Sequence, residues 1–387
     1  MTLDIEFFDA VGDIPASEWD AIVGDASPFL EHGFLAALEE TRCVGPGTAW
    51  RPQIVAAYRT DVLVGALPMY LKLDSAGEFV FDWSWADAAY RAGIEYYPKA
   101  VVAVPFTPIE GRRVLVAAEE ADPRAVGHAL VEAALEFARA NKLSSVHFNF
   151  VEPDEVALLE EFDLPIRYGM QYHWYNGAQL GDGPSYDDFD GFLARFRSKK
   201  RSNIKRERRK LDEASVTTEV LTGDAITEAH LERMFDYYLD TIDKFAWGRQ
   251  YLNRDFFLQL GQTLRDRLHM VVASQNGEEF AAAFNLWKDD GLYGRYWGCE
   301  REVNYAHFEV CLYRPVEWCI EQGVQKFEPG AQGEHKYDRG FLPTVTRSAH
   351  FLRHPGLDRA VRGFIEQERR EVERQVEVMR EDGPFKG

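Results

Sequence analysis

Residues 327–336 read FEPGAQGEHK and place Glu328, Gln332, Glu334, His335 and Lys336 within nine positions. A carboxylate whose pKa is raised by partial burial, or an imidazole that titrates near neutrality, can take a proton from a reacting group. The amine of Lys336 and the guanidinium of Arg339 suit a carboxylate or a phosphate. Pro329 and Gly330 break the chain after a short strand-like run at 326–328. A turn at a strand end lets polar groups converge on a ligand at little cost to a core. The alternative is a polar loop that only faces water. As a metal centre, Glu328, Glu334 and His335 fit no ligand template, so no metal is expected.

Three other groups carry chemistry. His307 and Cys311 stand four apart and are either a Cys–His nucleophilic pair or a histidine beside a buried structural cysteine. Trp83, Trp85, Tyr90, Tyr96 and Tyr97 are interleaved with Asp82, Asp87 and Lys99, and a PFTP loop at 105–108 adds Phe106 and Thr107. This set is either domain-interface packing or a cleft wall that stacks on a sugar, a base or an aromatic group. Asn149, in a strand-like run at 146–150, is taken with it as a substrate contact. Finally, residues 195–210, RFRSKKRSNIKRERRK, hold ten basic residues against one acid in a chain of net charge −20. With Leu193, Phe196, Ile204 and Leu211 at helical spacing, the run reads as one amphipathic helix over 192–212. It pairs with the chain's own acids, contacts a ligand phosphate, or follows an RNA backbone. Lys199, Lys200, Arg201 and Lys205 are its anion-binding candidates.

The elements that position these residues follow from periodicity. The spacing predicts paired strands at 53–58 and 62–69, a helix at 124–140 that buries Val126, Leu130, Ala133 and Phe137, and a strand at 146–150. The second half repeats the plan. Strands at 269–273 and 280–287 flank an Asn276-Gly277 turn, a hairpin signal. A helix at 308–321 then leads to the strand at 326–328. Pro315 inside that helix either kinks it or starts it. A Gly-, Pro- and Asp-rich segment at 177–190 reads as the linker, which gives domains at 1–176 and 191–387. A charged helix at 358–380 closes the chain, with Glu366 and Arg370 as an i,i+4 pair. The 387 residues suffice for two domains. The acidic balance disfavours DNA and anionic membranes as general partners. Four cysteines without a CxxC pair suit a reducing compartment, and no run is apolar enough to span a bilayer. The expected location is the cytoplasm, as a monomer or homodimer.

FEPGAQGEHK followed by RGFLP at 339–343, together with FDWSWAD at 81–87, YYPK at 96–99, PFTP at 105–108, YWGC at 296–299 and HFE at 307–309, closely resembles the FemAB-like family. The resemblance spans about residues 28–351. It implies an α/β (α+β) fold of two tandem GNAT-like domains, each a mixed, mostly antiparallel sheet flanked by helices. It also implies N-acyl or aminoacyl transfer to an amine of a small-molecule or cell-envelope precursor. For that reaction Glu328, Glu334 or His335 is the candidate base, and Tyr296 and Gln332 donate to the oxyanion. Lys336 and Arg339 hold an anionic group, and His307 and Glu309 contact substrate. Relatives that draw on aminoacyl-tRNA carry a segment like Ser198, Lys199, Lys200, Arg201, Asn203, Ile204 and Lys205, although their long helical arm is missing. In the other departure, residues 299–308, CEREVNYAHF, lack the glycines on which GNAT enzymes cradle a CoA pyrophosphate. Acyl-CoA and aminoacyl-tRNA therefore both stand as expected donors. A binding module for an anionic envelope precursor or RNA is the alternative.

Overall fold

The computed structural model describes residues 3–177, 183–244 and 248–386. They divide into two compact units, residues 1–170 with 345–374, and residues 171–344 with 375–387. Part of the expected linker, 178–182, lies outside the described residues. The contiguous division at 177–190 misses two exchanges: residues 171–176 belong to the second unit, and 345–374 return to the first.

In the first unit the strands are β1 (Asp4–Phe8), β2 (Trp50–Pro52), β3 (Ile54–Arg59), β4 (Val62–Leu67), β5 (Met69–Lys72), β6 (Lys99–Val102), β7 (Leu115–Val116) and β8 (Ser145–Val151). Its helices are α1 (Ala16–Val23), α2 (His32–Glu40), α3 (Trp83–Arg91), α4 (Pro123–Ala140) and α5 (Val156–Glu160). β1, β3, β4 and β7 form one antiparallel sheet. In a second sheet β2, β5 and β6 pair antiparallel, and β6 then pairs parallel with β8. α4 is the crossover that a parallel pair requires. Its start is set by Pro123 in the first turn and by Asp122, whose side chain accepts from the Ala125 amide at 3.0 Å. Its apolar stripe of Val126, Leu130, Val131, Ala134, Leu135 and Ala138 is buried in the core with Val102, Val146 and Phe148.

The second unit takes the end of β9 (Ile166–Tyr175), then β10 (Val216–Thr222), β11 (Leu268–Gln275), β12 (Glu278–Lys288), β13 (Gly291–Cys299), β14 (Lys326–Glu328) and the start of β15 (Leu342–Leu352). Its helices are α6 (Phe189–Arg195), α7 (Ser198–Glu213), α8 (Glu228–Asp243), α9 (Arg254–Thr263), α10 (Ala306–Phe308), α11 (Arg314–Gln322) and the end of α12 (Pro355–Glu381). The order β10-β11-β12-β13 is antiparallel. β13 pairs parallel with β14, and β14 pairs antiparallel with β9. The first unit has the same ending, because β15 pairs antiparallel with β8. Each unit is thus a hairpin, a parallel pair joined by a helical crossover, and a last strand supplied from elsewhere in the chain. Asn276 (φ 53°) and Gly277 (φ 84°) make the expected tight hairpin turn.

One expectation about helices changes and one is decided. The basic run is not one helix: Phe196 leaves helical geometry between α6 and α7 and bridges to Phe385. Of the two readings of Pro315, the second holds: α11 starts at Arg314 with Pro315 in its first turn. A π-helical turn at Glu309–Tyr313 joins α10 to α11, with the Arg314 amide bonded to the Glu309 carbonyl. Pro315, in the first turn of α11, has no N–H to offer the preceding turn, and the wider π turn absorbs that mismatch. α8 packs on β13 against Gly298, where an added Cβ would lie 1.8 Å from the Tyr237 carbonyl oxygen, so only glycine permits the approach.

Candidate active site

The three-residue length of β14 creates the site. β13 pairs with it only from Gly291 to Tyr293, and beyond that point β13 continues while the chain turns away at Pro329. One residue later β13 bulges. Phe284 faces Tyr296 and Asn285 faces Gly294, so Arg295 is extra to the ladder. A cavity of about 340 Å³ fills the opening. Its walls are β13 from Gly294 to Trp297, Asn285 of β12, His307 and Cys311 of the α10–π segment, and the turn from Pro329 to Lys336. That turn needs left-handed backbone at Gly330 (φ 84°), Gln332 (φ 63°) and Gly333 (φ 98°) before residues Glu334–Arg339 wind into a 3-10 helix.

Lys336 holds the turn from inside. It is 5% exposed, and its Nζ donates to the carbonyl oxygens of Pro329 (3.1 Å), Gly330 (2.7 Å) and Ala331 (3.4 Å). Burial pulls its ammonium down to about 8. Burial, followed by the charges of His335, Lys336 and Arg339, pulls His307 down to about 4. His335 is likewise lowered by burial, then by Lys336 and Arg339, so both imidazoles are neutral at pH 7. Their rings meet edge-on with centroids 5.5 Å apart, and His335 Nε2 is enclosed without a hydrogen-bond partner. Asn285 is fixed from behind, its Nδ2 lying 2.9 Å from Nδ1 of buried His269.

A family model described as FemAB-like, peptidoglycan biosynthesis/recognition, matches residues 10–387. The chain belongs to the FemAB-like family. Its fold, two tandem GNAT-like units of mixed α/β structure, recurs in solved structures. The crystal structure of FemX superposes with a TM-score of 0.54 at 11% identity, covering 92% of this chain and 100% of that one. The C-terminal domain of a putative lysylphosphatidylglycerol synthetase from Agrobacterium fabrum gives 0.53 at 10% identity, covering 89% and 94%. A conserved protein of unknown function from Bacteroides thetaiotaomicron gives 0.51 at 13%, covering 90% and 99%. No curated protein sequence matches the chain. No helix among the described residues is long and apolar enough to cross a membrane.

In this FemAB-like chain the cavity gathers Tyr296, His307, Gln332, His335 and Lys336 from the expected set. Glu328 is 0% exposed, 2.6 Å from Lys326 Nζ and 3.6 Å from His173 Nε2, and does not line it. Glu334 is exposed, Arg339 is held by Glu207 at 2.8 Å, and Glu309 is buried against Arg208 at 2.9 Å. Of the basic run, Lys199 is exposed and Arg201 half-buried, whereas Lys200 pairs with Asp338 and Lys205 with Asp190 at 3.2 Å. The expected residues of the first half lie within the first unit. Trp85, Tyr96, Phe106, Thr107 and Asn149 are buried there, Tyr97 is half-buried and Trp83 is 51% exposed. Lys99, fully buried, pairs with Glu78 at 2.9 Å and with Asp82, which also accepts from Tyr96 at 2.6 Å.

Asn285 and Arg295 were not among the expected site residues. The signal for Asn285 was a single amide inside the apolar run FAAAFNLW, and for Arg295 a charge between Gly294 and Tyr296 in a strand. The Cys–His reading finds no support in the electrostatics. Burial pushes the Cys311 thiol well up, and His307 is neutral, so no thiolate–imidazolium pair forms. Cys311→Ser is therefore expected to leave any transfer rate within about threefold of the native one. A loss beyond a hundredfold in a steady-state assay would restore the nucleophilic role.

Proposed function

We propose that the protein transfers an acyl or aminoacyl group to an amine of a small-molecule or cell-envelope precursor in the cytoplasm, and that the cavity beside β13 is where the bond forms. The observation that carries this reading is a neutral imidazole with an unbonded nitrogen, His335 Nε2, next to a buried lysine at the parting of two parallel strands. In the reaction the amine nitrogen attacks the acyl carbon. His335 Nε2 accepts the proton the amine loses and returns it to the leaving oxygen or sulfur as that bond breaks. The Lys336 ammonium stabilises the negative charge that develops on the carbonyl oxygen. Of the two donors, aminoacyl-tRNA is favoured. The stretch from Cys299 to Phe308 has no glycine, and Tyr305 occupies its left-handed position (φ 70°), so a CoA pyrophosphate lacks a cradle that backbone can approach closely.

The test is transfer of labelled groups from charged tRNAs, acetyl-CoA and longer acyl-CoAs to amines in a cell extract. His335→Gln is expected to lower kcat by roughly 10²–10⁴ with KM little changed. Absence of transfer from every donor would sink the proposal, and transfer untouched by His335→Gln would remove the base assigned here.

A further inference from the structure

Asn285 of β12 stands directly opposite His269 of β11, and both are buried, at 2% and 0% exposure. The neighbours of Asn285 on the same face of β12 are Ala283 and Trp287. Trp318 of α11 meets the rings of His269 and Trp287 edge-on, with centroids 4.5 Å and 5.5 Å apart. Two apolar side chains would pack in this setting, whereas a buried polar pair is costly wherever one of its atoms stays unpaired. One pairing is made, from Nδ2 of Asn285 to Nδ1 of His269 at 2.9 Å. Burial keeps the imidazole neutral, its pKa pulled down to about 3. An Nδ1 that accepts from the amide leaves the ring proton on Nε2, which is enclosed without a partner. The amide is thereby turned with its oxygen away from His269, on the side of the cavity that Asn285 lines. Gly294, opposite Asn285 on β13, keeps that oxygen uncovered. A Cβ there would lie 3.3 Å from Asn285 Oδ1 and 3.1 Å from Pro329 Cα, filling the gap between the amide and the turn.

We propose that Asn285 Oδ1 accepts one N–H of the amine that is acylated, and that His269 is the positioning residue that presents this oxygen. The inference rests on the transferase reading of the cavity and adds a contact on the nucleophile. A neutral amine offers two N–H groups and one lone pair. With one N–H on Asn285 Oδ1 and the other on His335 Nε2, the lone pair is aimed at the acyl carbon. The bond to Asn285 strengthens as the nitrogen becomes positive during attack, because a charged donor makes the stronger hydrogen bond. Asn285 neither takes nor gives a proton in this step; the proton the amine loses goes to His335.

Nitrogen-15 NMR of the intact protein, with His269→Gln to assign the ring, tests the presentation of the oxygen without any ligand. Nδ1 of His269 should be bare and Nε2 protonated. A proton on Nδ1 would mean that the amide is reversed, and the inference falls. The contact itself is read in the transfer assay. Asn285→Leu should lower the rate at saturating charged tRNA at least tenfold while the KM for the charged tRNA stays unchanged. Should Asn285→Leu fail to fold, Gly294→Ala, which covers the oxygen but leaves the bond between Asn285 and His269 in place, should give the same loss. A rate within threefold of the native one, or a loss that lies wholly in the KM for the charged tRNA, would overturn the inference. The two readings fail separately. A native protein that transfers nothing refutes the transferase reading, and the tautomer of His269 still decides whether the oxygen is presented; transfer that is indifferent to Asn285→Leu refutes this inference alone.

Discussion

Replacing Lys99 by methionine should cost about 3–5 kcal/mol of folding stability, the largest single effect expected in the first unit. The substitution keeps the length of the side chain but leaves Glu78 and Asp82, 4% and 3% exposed, without their shared cation. The loss should depend on pH. Glu78 is raised by burial to about 7, above its ordinary 4.5, so ionising it opposes folding increasingly between those values. Asp82 is held well below its ordinary value by Lys99 despite burial, so its contribution is present above the unfolded-state pKa and disappears only in strong acid. Without Lys99 both carboxylates titrate upward. Urea unfolding should then show the variant's deficit growing from pH 5 to pH 8 as the two groups are forced to ionise. An equal deficit at both pH values would mean that packing, not charge, is what Lys99 provides.

Lys336→Met should reduce transfer by roughly 10²–10³ in kcat, comparable to removing one oxyanion donor. Two effects combine. The positive charge at the reacting carbonyl is lost, and the carbonyls of Pro329, Gly330 and Ala331 lose the donor that gathers them into the wall of the cavity. Lys336→Arg should not restore the rate, because a planar guanidinium is bulkier than the compact ammonium around which these three carbonyls close. Near-native turnover in either variant would show that Lys336 is structural only.

The sequence made some of this legible and hid the rest for physical reasons. Helical spacing located α4 because its stripe faces a single core, and Asn276-Gly277 located a hairpin because few residues tolerate that turn. FEPGAQGEHK pointed at the cavity, yet Glu328, the first acid in it, went inward. Its strand neighbours decide its direction, and one of them is β9, more than 150 residues earlier in the chain. The break at Phe196 escaped because its partner, Phe385, lies more than 180 residues further along the chain. Lys99 and its two acids looked like a cleft wall because periodicity does not reveal that a cation is balanced within an interior.

The exchange of strands has a consequence for how the protein is made. The first unit lacks β15 until the ribosome has also translated residues 171–344, all of which belong to the second. At ordinary synthesis rates of about 5–20 residues per second, that interval is roughly 10–35 s, during which the free edge of β8 has no native partner. The N-terminal half therefore cannot mature first and wait, as an independent domain would. Separate expression of residues 1–176 should yield a chain with an open sheet edge, and completion of both units waits until β14 and β15 have emerged.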